Sequence, residues 1–246
     1  LLRIILPFCL AILVRRRFQI PWLVFCTGML TFIASQVVHL PLNNLLGKVG
    51  LLPEANTLSG VPLWRTALIL GLSAGICEEL ARTAGYAILR RFRKFEHGLL
   101  FGLGHGGIEA MVFGGVLTAA TLSSLWVLRG TDLSTLNLAP EQLDALSLQI
   151  ASLDGSAWLA FVPLLERILA MAAHVLLSII VLQAFSRKNW IYVPLAVLYH
   201  ALLDGVLVYV QYRWENTWLT YGLFLALLIP VALWVLSITP RRDAVV

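Results

Sequence analysis

Charge is the first thing this chain lacks. Its 246 residues hold 18 Lys and Arg and 13 Asp and Glu, so only 13% are charged. A soluble globular chain carries roughly a quarter. The surface of a soluble body of 27.2 kDa cannot be covered on that amount. Intrinsic disorder and a long coiled coil need still more charge and are excluded with it. Cysteine is also scarce. Cys9, Cys26 and Cys77 each sit in an apolar run, too few and too dispersed for a disulfide framework or a cysteine metal cluster. They read as small buried hydrophobes. What the chain has instead is apolar bulk, 59% of residues at a mean hydropathy of +0.86. That composition specifies an all-α polytopic membrane protein, with lipid as its solvent.

Crossing about 30 Å of hydrocarbon takes roughly 20 apolar residues. Seven runs qualify, near 1–14, 18–40, 63–89, 97–128, 157–185, 190–211 and 217–238. The first is short, and reads as the end of a span that starts upstream or as a signal-peptide core. A single membrane domain over 1–246 is expected. The basic residues fix its orientation. Arg15–Arg17, Arg90, Arg91, Arg93 and Lys94, Arg187 and Lys188, and Arg241 and Arg242 fall in one set of alternate connections. The other set holds Arg3, Lys48, Arg65, Arg129 and Arg213, together with Glu54, Asp132, Glu141, Asp144, Asp154 and Glu215. The positive-inside rule then puts the N-terminus outside and the C-terminus in the cytoplasm. The pI near 9.4 is therefore a topology signal, and nucleic acid is not an expected partner.

The external connection 129–156 contains Pro140–Leu153, with Leu143, Leu146, Ile150 and Leu153 at helical spacing. An amphipathic helix lying on the membrane surface is predicted there. The stretch 41–62, rich in Pro, Asn and Gly, is expected to be irregular. Trp22, Trp64, Trp126, Trp158, Trp190, Trp214 and Trp218 gather near span ends, as an aromatic belt does.

With loop charges set aside, Glu78, Glu79, Arg82, Glu109, Glu166, Arg167 and Asp204 remain inside apolar runs, accompanied by His105, His174 and His200. An ionisable group at bilayer depth is costly unless paired or hydrated, and so marks function by default. Their depths agree. At the helical rise, Glu79 lies about 16 Å from Arg90, His105 about 15 Å from Phe95, His200 about 16 Å from Asn189 and His174 about 20 Å from Arg187. Four spans thus bring polar groups to one level. Glu78 and Glu79 stand four and three residues before Arg82, which can hold one carboxylate while the other faces a cavity. His105 with Glu109, and His200 with Asp204, are four apart on one helical face. There a carboxylate can orient the histidine or share a metal with it. Gly71 and Gly75, and the glycines around His105, allow close helix approach. The string Gly102-Leu-Gly104-His-Gly106-Gly107 formally matches a dinucleotide fingerprint. It lies within an apolar span with no preceding strand, so no nucleotide is expected. His39 and His97 read as interfacial, and Glu166–Arg167 as either a helix brace or a support for the site.

Taken together, Glu78-Glu79-x-x-Arg82, Phe101-x-x-x-His105 and His200-x-x-x-Asp204 resemble the three motifs of the CAAX-protease and bacteriocin-processing superfamily. The similarity is closer to its YhfC-type branch of intramembrane metalloproteases, with Gly-Leu-Gly-His-Gly-Gly-Ile-Glu at 102–109, Glu166–Arg167 and His174. It covers a motif-bearing core of roughly 63–210. The resemblance implies peptide-bond hydrolysis within a bacterial cytoplasmic (inner) membrane, on a membrane protein or peptide substrate. Glu78, or else Glu79, would activate water together with His105, while His200 and Asp204 would stabilise the oxyanion. Arg82, Glu109, Glu166 and Arg167 would support them. If a divalent metal such as Zn²⁺ is bound, His105, His200 and His174 would be its ligands. H-E-x-x-H is absent, so such a site must be assembled across helices. A glutamate–histidine site without metal is the competing form. Two other classes stay open. One is a catalytically silent scaffold among partner subunits of a membrane complex. The other is a proton or cation pathway, which would need polar residues leading to both faces.

Overall fold

The computed structural model describes residues 2–53, 61–155 and 161–239. Glu54, Trp158, Arg241 and Arg242, used above, lie outside the described residues. The described chain is helical with no strand: α1 (Leu2–Phe18), α2 (Trp22–Lys48), α3 (Leu63–Ile88), α4 (Phe95–Glu109), a π-helical stretch (Ala110–Leu117), α5 (Thr118–Leu128), α6 (Pro140–Ala151), α7 (Val162–Ser186), α8 (Tyr192–Trp214) and α9 (Thr217–Ile238). Each expected apolar run contains one of these helices, with α4, the π-helical stretch and α5 forming one continuous rod. Five are long and apolar enough to cross a membrane: α2, the Phe95–Leu128 rod, α7, α8 and α9. Of the other two expected spans, α1 has 17 residues and α3 carries Glu78, Glu79 and Arg82 in its middle.

α3 lies at the centre, packed on α8 and α2, while α4 packs on α2, α7 and α1. Lipid tails are as apolar as leucine, so helices associate through close packing and polar bonds. The glycines supply the first. A β-carbon on Gly71 would collide with the Ala201 carbonyl oxygen of α8, and one on Gly75 would lie 2.7 Å from that of Val197. On α4, Gly104 meets the Phe25 carbonyl of α2, and Gly106 leaves room for His174, whose Cβ would stand 2.9 Å from an added methyl. The α2–α4 and α4–α7 contacts thus depend on the glycines that mimic a nucleotide fingerprint.

The basic connections gather at one end of the bundle. Ser186 Oγ donates to the Arg93 carbonyl, and the Arg93 guanidinium stacks 4.3 Å over the Phe185 ring. Arg187 ties the end of α7 to the Ile238 carbonyl at the end of α9. Beneath these connections lies the main apolar core, in which Tyr86 and Phe101 stack at 4.3 Å among Leu100, Leu177, Ile180 and Val181. At the far end, α6 forms over Pro140–Ala151, and the part-buried positions of 140–154 are Leu143, Leu146, Ile150 and Leu153, the predicted stripe.

Two expectations of local structure fail. Of the cysteines read as buried, only Cys77 is, while Cys9 and Cys26 lie exposed on the faces of α1 and α2. The stretch 41–62 is not irregular from its start, because α2 runs through Pro41 to Lys48 and turns follow only over 49–53. Proline costs a helix one hydrogen bond but does not end it where neighbouring helices hold the rod. Asn43 does not compete for backbone either, since its side chain bonds His39 and Ser73. This continuation carries one more helical face into the bundle interior.

Candidate functional site

α3, α4, α7 and α8 place the predicted groups around one oxygen. Glu78 Oε2 lies 3.1 Å from His105 Nε2, 3.9 Å from His174 Nδ1 and 4.0 Å from His200 Nε2. These three histidines stand on three different helices, and all four side chains are buried. The His174 ring lies 5.1 Å from that of His105 and 5.6 Å from that of His200. Glu79 turns the other way. Its Oε2 lies 3.0 Å from Arg82 Nε, and its Oε1 accepts from His200 Nδ1 at 2.7 Å. The adjacent carboxylates therefore divide as their spacing from Arg82 suggested, one neutralised by the guanidinium and one facing the histidines. Arg82 is fully buried. It also donates to the His174 carbonyl (2.9 Å), Ser178 Oγ (2.6 Å) and His174 Nδ1 (3.1 Å).

The bonding partners fix the proton positions on these rings. Thr31 Oγ1 donates to the Gly28 carbonyl at 2.7 Å, so it can only accept from His105 Nδ1 at 3.0 Å. Neutral His105 then presents a bare Nε2 lone pair to Glu78. His200 donates through Nδ1 to Glu79 and turns Nε2 towards Glu78 and Asp204, whose Oδ2 is 3.4 Å away. His174 accepts from Arg82 at Nδ1, and its Nε2 lies 2.5 Å from Glu109 Oε2.

The remaining predicted residues form the outer wall. Arg167 on α7 holds Glu109 of α4 at 3.0 Å and also pairs with its neighbour Glu166. It thus braces α4 against α7, the first of the two readings left open for the Glu166–Arg167 pair, and holds the carboxylate that contacts His174. The expected pairing of His105 with Glu109 within α4 does not form. Gly106 admits His174 from α7 beside α4, and that ring takes Glu109, while His105 is occupied by Thr31 and Glu78. Immediately after Glu109 the helix widens into the π-helical stretch, a feature often found at functional sites. Arg3 of α1 donates to the Gly114 carbonyl there at 2.8 Å. A cavity of about 120 Å³ is lined by Glu78, Glu109, Arg167, His174, His200 and Asp204 among others.

The model of the YhfC intramembrane metalloprotease family matches residues 2–224. The chain belongs to this family. A curated relative, the "Uncharacterized membrane protein YhfC" of Bacillus subtilis (strain 168), is 32% identical over 149 residues. That match covers 58% of this chain and 56% of the relative, so the chain spans little more than half of the curated protein it matches. No solved structure matches. The protein is an integral membrane protein of the YhfC family.

The family's description implies a metal, and the donor set accommodates one. Ligand atoms of Glu78, His105 and His174 lie within 4.8 Å of one another, all buried. A lone pair on His105 Nε2 directed at a carboxylate oxygen is the chemistry of a cation site. His174 Nδ1 is already taken by Arg82, so it would become a ligand only with that guanidinium displaced, whereas His200 Nε2 has no such competitor.

Three polar residues of α2, Thr31, Ser35 and Gln36, escaped the sequence reading, and a fourth, His39, was read as interfacial. Thr31 orients His105, and Gln36 Nε2 donates to Glu78 Oε1 at 3.2 Å. Ser35 is buried beside Gln36, and His39 Nε2 accepts from Asn43 Nδ2 at 2.9 Å, next to Ser73 of α3. His39 is therefore inside the bundle rather than at an interface. Their signal was a repeat of four, which puts Thr31, Ser35, His39 and Asn43 on one helical face, with Gln36 beside Ser35.

Proposed function

We propose that this protein is an intramembrane endopeptidase in which Glu78 is the general base. The observation that carries the reading is the convergence of imidazole nitrogens from α4, α7 and α8 on Glu78 Oε2, in a cavity with polar walls inside an apolar bundle. A divalent metal, zinc by its imidazole donors, would be held by His105 with His174 or His200 beside Glu78, and would supply Lewis-acid activation of the water and the scissile carbonyl. Glu78 takes a proton from water as the oxygen adds to the peptide carbonyl carbon. His105, its Nδ1–H held by Thr31, keeps Nε2 on the same centre. Where His174 rather than His200 holds the metal, His200 carries a second proton beside Asp204 and donates Nε2–H to the developing oxyanion, its Nδ1–H anchored on Glu79. The tetrahedral carbon then expels the amine, which takes the proton from Glu78 as the C–N bond breaks. Arg82, Glu109, Glu166 and Arg167 are positioning residues.

We also place the N-terminus outside and the C-terminus in the cytoplasm of a bacterial inner membrane, with seven spans and α6 on the outer surface. Support comes from the collected basic connections at one end and the acidic, arginine-poor connections at the other. A through-membrane ion pathway fits less well, because the apolar core around Tyr86 and Phe101 closes the basic end. A silent scaffold would need the packing of this centre but not the proton-accepting oxygen of Glu78. The discriminating experiment is metal analysis of the purified protein, plus cleavage of a library of membrane segments by wild type and Glu78→Gln. Cleavage by the wild type alone is expected, and equal cleavage by both would refute the assignment.

A further inference from the structure

On its basic side the centre is closed by Arg82 and Ser178, which bond each other, and beyond them the helices pack as an apolar layer. Towards the basic end, α3, α4 and α7 continue with Tyr86, Leu100, Phe101, Leu177, Ile180 and Val181, all buried and closely packed. Towards the opposite end the same helices carry Ser73, Glu109 and Arg167, and α2 adds its stripe of Ser35, Gln36, His39 and Asn43. A second cavity, of about 220 Å³, lies on this side between α2, α3 and α8. It is lined by His39, Asn43, Leu70, Ala74, Asp204, Leu207 and Val208. Asp204 and Leu207 also line the cavity of the centre, so the two spaces adjoin at those side chains.

The second cavity has apolar walls from Leu70, Ala74, Leu207 and Val208 and a polar edge at His39, Asn43 and Asp204, where water can be held. Ser73 Oγ donates to Asn43 Oδ1 at 2.8 Å, and Asn43 Nδ2 donates to His39 Nε2 at 2.9 Å. That leaves the proton of neutral His39 on Nδ1, a buried atom with no hydrogen-bond partner in the protein. Buried donors are otherwise satisfied by protein or by water. At roughly 30 Å³ per molecule, a space of this size holds several waters.

We propose that water reaches Glu78 and His200 from one side of the membrane only, the side bearing the connection after α2, through the passage lined by His39, Asn43 and Asp204. This rests on the hydrolytic reading only for what the water does at the centre. The passage gives the reaction a sidedness: the scissile bond is attacked by water drawn from the side opposite the basic connections.

Thiol labelling tests it without reference to cleavage. In a background of Cys9→Ala, Cys26→Ala and Cys77→Ala, Val208→Cys reports the passage. Val206→Cys, two residues away, reports the apolar α3–α8 groove lined by Trp64, Leu68, Leu198 and Leu202. A charged methanethiosulfonate reacts with the thiolate, which forms where water reaches. Val208→Cys is expected to label from the side of the α2–α3 connection and not from the other, while Val206→Cys stays silent. Labelling at 208 should be lost on adding either His39→Leu or Ala74→Phe. Either blocking change suffices, so one that abolishes the thermal transition is replaced by the other. A silent Val208→Cys, equal labelling at 206 and 208, labelling from the basic side, or labelling that survives both blocks would each overturn the passage. Full labelling in a protein that cleaves nothing would refute the catalytic reading and leave the passage standing. Cleavage with a silent Val208→Cys would refute the passage alone.

Discussion

Replacing Arg82 by leucine removes a fully buried guanidinium that reaches Glu79, the His174 carbonyl, His174 Nδ1 and Ser178. The largest consequence falls on Glu79, itself fully buried, which keeps a carboxylate with only His200 to oppose it. Removing one member of a buried ion pair costs about 3–5 kcal/mol, because the partner is left charged in a low-dielectric interior. Replacing both members by apolar residues is often close to neutral. The structure therefore orders three variants. Arg82→Leu should lose about 3–5 kcal/mol, and Arg82→Leu with Glu79→Leu should recover a substantial part of that. Arg82→Lys should fall between wild type and Arg82→Leu, because a point charge cannot serve acceptors spread over three nitrogens of a planar fork. The assay is reversible unfolding in mixed micelles followed by circular dichroism. A loss below about 1 kcal/mol for Arg82→Leu, or a double variant no more stable than the single one, would refute the reasoning.

Three further outcomes follow from specific contacts or from open space. Thr31→Val keeps the shape of the side chain but removes the acceptor for His105 Nδ1–H. It should cost about 1–3 kcal/mol and weaken the proposed zinc binding about 10–100-fold by titration calorimetry, and unchanged affinity would contradict the assigned tautomer. Gly104→Val drives a side chain into the Phe25 carbonyl and should cost about 1–3 kcal/mol in thermal unfolding. Gly222→Ala, where an added methyl meets nothing within 4 Å, should leave stability unchanged or slightly raised.

The site was legible where residues violate the rules of their solvent. A carboxylate, guanidinium or imidazole inside an apolar run is expensive enough to stand out singly, and a common depth on four helices predicted their convergence. Neutral polar residues carry no such signal. Thr31 and Ser35 return their hydroxyl hydrogens to the Gly28 and Phe32 carbonyls of their own helix, so they sit in an apolar run at little cost and look unremarkable there. His39 was misplaced for a different reason. Pro41 suggested that the helix ended near it, and only the packed structure shows α2 carrying that face onward to Asn43. The partner of Glu109 was equally hidden. Spacing within α4 named His105, but which ring reaches the carboxylate is decided by how closely α7 approaches at Gly106, a property of two helices together. The π-helical stretch after Glu109 has no sequence signature comparable to a cap or a proline.

Hydrolysis at Glu78 is tested most directly by following the oxygen that Glu78 is proposed to activate. Wild type and Glu78→Gln, both shown to be folded, would be incubated in heavy-oxygen water with a membrane segment that the wild type cleaves, and the products weighed by mass spectrometry. The account predicts that wild type places a heavy oxygen in the new C-terminal carboxylate and that Glu78→Gln yields no labelled product. Equal labelled product from the two proteins would contradict it.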